Sequence, residues 1–120
     1  MEMSRIPLLI KSTTGWVFVD PSMILYLRAE DKYARSQFVD GSSMVVLHSL
    51  SELEHRLGCN ERIGAFLFLR THRSYITAIH HAVAVHGSNE LELRTGERLS
   101  FSRRVWPLLK RVAGTVRATG

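Results

Sequence analysis

Arginines set among hydroxyl side chains at three places are the residues of this chain best able to do chemistry. In "FLFLRTHRSYI", residues 66–76, an apolar run breaks into Arg70, Thr71, His72, Arg73 and Ser74 before apolar residues resume. Two guanidinium groups beside a hydroxyl and a backbone amide suit phosphate oxygens. A structural turn with solvated arginines would look the same, and His72 reads as a hydrogen-bonded structural histidine. In "SFSRRVWPLLKRV", Ser102, Arg103 and Arg104 stand where a C-terminal helix begins. Cations there oppose the helix dipole at a cost of roughly 0.3–1 kcal/mol each. Local rules are broken in this way at functional sites, and a helix start carrying guanidinium groups can receive a phosphate or a guanine edge. Surface pairing with Glu90, Glu92 or Glu97 is the other reading. The third place is "RAEDKYAR", where Lys32, Tyr33 and Arg35 offer a charge, a planar ring and a bidentate fork. Glu30 and Asp31 beside them would repel phosphate, and a hairpin of mixed charge fits the same residues.

Catalysis is poorly served by what remains. His72, Ser74, His80, His81 and His86 supply imidazoles and a hydroxyl. Adjacent histidines in a strand "IHHAVAVH" would point to opposite faces, and no cysteine or acid accompanies them at metal-ligand spacing. No glycine-rich phosphate loop occurs. The chain is therefore read as a non-enzyme with no metal, no cofactor and no small-molecule substrate.

The elements that must position these groups are mostly strands. "PLLIK", "GWVFVD", "MILYLRAED", "YARSQFVDG" and "SMVVLH" alternate apolar with polar residues and are punctuated by Gly, Pro, Ser, Thr and Asp. Asp40-Gly41 and Thr95-Gly96 are the clearest turns, since glycine tolerates positive φ. Between the last two strands of "ELELRTGERLSFS" the alternation gives one core face and one wet face. Two stretches keep helical spacing instead. In "SLSELEHRLG", Ser49 and Glu52 form a capping box, Leu50, Leu53 and Leu57 share a stripe, and Gly58 suits the left-handed helix end. In "SRRVWPLLKRVAG", Val105, Leu108, Leu109 and Val112 share another, with Pro107 confined to the first turn. The fold class is mainly β, with one short internal helix and a C-terminal helix.

A chain of 120 residues fits one domain, residues 1–120, with one modest core. The net charge of +5 is unevenly placed. Residues 1–61 hold 6 Lys and Arg against 8 Asp and Glu, a net of −2, whereas residues 62–120 hold 10 against 3, a net of +7. A basic half favours acidic partners such as nucleic acid. The single cysteine, Cys59, allows no intramolecular disulfide and reads as an inert thiol in a reducing compartment. No apolar stretch reaches the ~18 residues of a membrane span, and no signal peptide is evident, so a soluble cytoplasmic protein is expected.

The order of these pieces resembles the LytTR family of bacterial DNA-binding domains: "ILYLRAEDKYAR", then "SLSELEHRL", "FLRTHRSYI" and "GERLSFSRRVWPLLKRV". The likeness runs from about Ile6 to Val112, and "THRSYI" and "SFSRR" are its most specific parts. It implies an elongated sandwich of small antiparallel sheets. It also implies a transcription regulator that inserts loops into successive major grooves of a bent duplex, at tandem repeat sites and as a possible homodimer on DNA. Carried over by residue, Arg73 and Arg103 match base readers, and Lys32 or Tyr33 falls on a third base contact. Arg70, Ser74, Ser102 and Arg104 match positions that hold the phosphate backbone, and Arg35 is grouped with them as a phosphate contact. The sequence departs from the family after "SYI", where Thr77 and Ala78 replace a common Val-Asn and so remove an amide that could brace the loop. Many relatives also carry a receiver or sensor domain ahead of this module, so the chain is either a stand-alone regulator or a fragment. The rival reading is a non-specific RNA-binding or protein-interaction β module.

Overall fold

The computed structural model describes residues 7–59, 66–87 and 89–113. Strands β1 (Leu8–Ser12) and β2 (Gly15–Val19) form a hairpin, and a 3-10 turn at Pro21–Met23 leads into β3 (Ile24–Glu30). There follow β4 (Tyr33–Phe38), β5 (Ser43–Val46), helix α1 (Leu50–Arg56), β6 (Phe68–His72) and β7 (Tyr75–Ala78). A second 3-10 turn, Ile79–His81, precedes β8 (Ala82–His86), β9 (Glu90–Leu93) and β10 (Arg98–Ser100). A third, Arg103–Val105, runs into helix α2 (Trp106–Ala113). Among the described residues, ten strands and two short helices make the mainly β architecture that the alternation predicts.

The strands form two antiparallel sheets, one ordered β2-β1-β5-β4-β3-β7-β6 and the other β10-β9-β8. Ile24, Leu25, Tyr26 and Leu27 of β3 are all buried, because this central strand is covered on both faces. Ile24 and Leu27 join Val46, Leu50, Leu53, Phe68 and Ile76 in the core beneath α1. Leu25 and Tyr26 join Leu93 and Leu99 of the smaller sheet. In β6 the alternation divides Phe68, under α1, from Leu69, which packs with Leu91, Phe101 and Leu109. The layers are α1, the large sheet, then the small sheet with α2. The molecule measures 54 × 38 × 25 Å, an elongated sandwich.

Local signals act where the sequence placed them. Ser49 Oγ accepts from the Glu52 amide at 3.1 Å, and Gly58 ends the helix at φ 59°. The reciprocal half of the capping box is replaced: Glu52 turns its carboxylate to His48 Nδ1 at 3.1 Å and Arg56 Nε at 3.4 Å. Gly41 and Gly96 take positive φ in their turns, as expected. One expectation fails. His80 and His81 do not alternate across a strand, because Ile79–His81 is a 3-10 turn that brings their rings to 4.6 Å. The turn is fixed from outside itself, by the Ile79 amide on the Leu67 carbonyl at 2.8 Å and the Leu67 amide on His80 Nδ1 at 3.2 Å.

Candidate nucleic-acid interface

Pairing brings the three basic places to one end of the molecule. Glu30 pairs with Tyr33, so Asp31 and Lys32 form the tip of the β3–β4 hairpin, with Asp31 at φ 55°. Arg28 pairs with Tyr75 of β7, and the Ala29 amide donates to the Ser74 carbonyl at 2.9 Å. The β6–β7 turn, Arg73-Ser74, therefore lies beside that tip. The Ser102 amide donates to the Thr71 carbonyl at 2.8 Å, which ties the strand leading into Arg73 to the segment leading into Arg103. The Phe101 amide donates to the Asn89 carbonyl at 2.7 Å and holds the same segment to the β8–β9 turn.

The β6–β7 turn is built stiffly. Leu69 faces Thr77 but His72 faces Tyr75, so β6 carries a bulge at Arg70-Thr71. Bulges re-aim side chains and are frequent beside functional sites. Inside the bulge, the Thr71 and Thr77 hydroxyls meet at 2.8 Å, both fully buried. Thr77 thus braces the bulge from β7. The Ser74 amide donates to His72 Nδ1 at 3.1 Å, which gives His72 the structural role read from the sequence.

Arg70 closes the brace. Its guanidinium donates to the carbonyls of His72 at 3.1 Å and Arg73 at 2.6 Å, and to Glu54 of α1 at 2.9 Å. The phosphate contact expected of Arg70 meets a group already engaged within the molecule. Arg35 is engaged likewise, by two bonds to Glu30 at 3.0 and 3.1 Å and one to Ser43 at 3.2 Å. The Arg35 hydrogen bond, followed by its charge, holds the Glu30 carboxyl below the usual carboxylate range. Lys32 lies over the Tyr33 ring at 5.5 Å, and both are exposed. Glu54 had no signal in the sequence, because its partner lies sixteen residues away and on another element.

Arg73, Arg103 and Arg104 differ from these. All three are exposed, and among the described residues none has a side-chain hydrogen bond or ion pair. The acids that could have satisfied the last two are spent elsewhere: Glu90 on Arg98 at 3.3 Å, Glu92 on His86 at 2.6 Å, and Glu97 on the Tyr26 hydroxyl at 3.0 Å. Ser102 begins the 3-10 turn without using its hydroxyl, and the Ser74 hydroxyl is likewise uncommitted among the described residues. Pro107 sits second in α2, where its missing N–H costs nothing. Among the described residues no three His, Cys, Asp or Glu converge as a metal centre requires, and no helix is long and apolar enough to cross a membrane.

The result is an antiparallel β sandwich with exposed arginines, unpaired among the described residues, on adjoining braced loops. The chain belongs to the LytTr DNA-binding domain family, whose profile matches residues 14–114. The CO-responsive transcriptional regulator RcoM of Rhodospirillum rubrum is 40% identical over 80 residues, 67% of this chain and 30% of that protein. The match thus spans less than a third of that relative's length. The LytTr DNA-binding domain of a methyl-accepting/DNA response regulator from Bacillus cereus superposes with a TM-score of 0.69 at 27% identity, covering 95% of this chain and all of that one.

Proposed function

We propose that this chain reads sequence in double-stranded DNA as the output module of a bacterial transcription regulator in the cytoplasm, one domain acting through loops. Arg73 and Arg103 enter successive major grooves as base readers, with Lys32 and Tyr33 at a third contact. Arg104, Ser74 and Ser102 hold the phosphate backbone, while Arg70 and Arg35 shape the loops that present them. Tandem repeat sites suit a molecule whose two reading loops sit side by side. The observation that carries this reading is the triad of exposed arginines, unpaired among the described residues, on two loops joined by the Thr71–Ser102 backbone bond.

The physical logic is preorganisation. An arginine held by a braced turn loses little further freedom on binding, and a bidentate contact to guanine is worth about 1–3 kcal/mol of discrimination. Phosphate contacts add affinity that salt weakens. Selection of bound duplexes from a random pool tests the proposal: one enriched motif, surviving excess random duplex, is expected. Binding that any duplex competes away equally, or a preference for single-stranded RNA, would replace it with the non-specific reading.

A further inference from the structure

The two edges of the large sheet are treated differently. The edge at β6 carries a bulge and the charged Arg70. The edge at β2 is Gly-Trp-Val-Phe-Val, with no charge, no proline and no bulge, and its five residues pair in unbroken register with β1. Among the described residues no other strand pairs with it. Native proteins ordinarily blunt such an edge with lysine, proline or a bulge. The outward face above it is apolar except for Lys11, whose ammonium lies 6.0 Å over the Trp16 ring. Leu9, Trp16 and Phe18 are 44%, 55% and 71% exposed, and register puts Leu9 beside Phe18 and Lys11 beside Trp16.

We propose that β2 is a self-association surface that pairs antiparallel with β2 of a second copy, with the two-fold axis at Val17. The sequence is self-complementary about that point. In this register Trp16 of each copy faces Phe18 of the other on the same outer face, giving two cross-strand aromatic pairs, the pairings that most stabilise antiparallel ribbons. An isologous contact of this kind closes at two copies. The surface covered, two edges with their Trp16, Phe18 and Leu9 side chains, is on the order of 1,000 Å², which belongs to weak or transient interfaces. A weak, concentration-dependent dimer is therefore expected. Strand β7, which carries the Arg73 turn, is five strand spacings away, about 24 Å at ~4.8 Å each, so pairing leaves that turn uncovered. The proposal concerns the free protein and stands or fails independently of DNA reading.

Sedimentation velocity on the DNA-free chain, from about 1 to 200 µM, tests it. The expected result is a concentration-dependent monomer–dimer equilibrium that F18E or W16K alone weakens at least tenfold. Both side chains are largely exposed, so each variant should keep the far-UV circular dichroism of the parent. The double variant W16K/F18E should regain the dimer, because the introduced ammonium of one copy then faces the introduced carboxylate of the other. A chain monomeric throughout, a dimer indifferent to either substitution, or a double variant that stays monomeric would each overturn the proposed pairing.

Discussion

Arg73 and Arg104 are both exposed arginines, yet they should fail differently when removed. If Arg73 reads a base as proposed, Arg73→Ala should flatten preference among DNA sequences, and Arg103→Ala should do the same at a second position. Arg104→Ala should weaken all duplexes alike and reduce the slope of log affinity against log salt by about one unit. Binding isotherms on a selected site and on a scrambled one, at several salt concentrations, separate the two cases. An Arg73→Ala protein with unchanged base preference would reassign that residue. Cys59 offers a further test at this scale. Burial first, then the nearby Glu54 charge, pushes its thiol up to about 12, so at pH 8 alkylation of the folded protein should be far slower than of the unfolded chain. Arginines within a greasy stretch were readable as candidates. That Arg70 would be occupied and Arg73 not was unreadable, because the difference is made by Glu54 and by a tertiary approach of α1.

At the level of elements, the β6–β7 hairpin is pinned by the Thr71–Thr77 hydroxyl pair. Replacing either partner with valine strands the other buried hydroxyl, at a cost of about 1–3 kcal/mol. The double replacement removes both polar groups at once and should cost much less than the two singles added together. Urea denaturation of the four proteins measures this, and additive losses would show that the two hydroxyls do not act as a pair. Hairpins and the α1 cap were legible because their signals are local: a glycine at positive φ, a serine before a helical stripe. The 3-10 turn at Ile79–His81 was not, because the apolar alternation of "AVAVH" continues without interruption from it and its geometry is set by Leu67, just ahead of β6.

For the molecule as a whole, the two sheets are tied by the Tyr26 hydroxyl on Glu97, and burial followed by that bond pushes the Tyr26 phenol up to about 12. His80 makes stability depend on pH. Its ring packs edge-on against Phe66 and Phe68, at 5.3 and 5.1 Å, and burial, then the neighbouring His81, lowers its pKa from 6.5. The unfolded chain takes up the proton more readily, so this contribution is complete above about pH 6.5 and declines as pH falls through the folded value. Chemical denaturation at pH 7.5 and 5.5 should show the loss, and His80→Asn should lessen it. The sandwich was foreseeable from alternation and from family likeness, but the sharing of one end by three separated loops required the strand order itself. The amide of Ser102 on the carbonyl of Thr71 has a lasting consequence. Both atoms belong to the main chain, so ordinary substitution leaves that link in place. Under the proposed function, exchanging the side chains at 73 and 103 would change which letters are read, while the interval between the two readings would stay as it is.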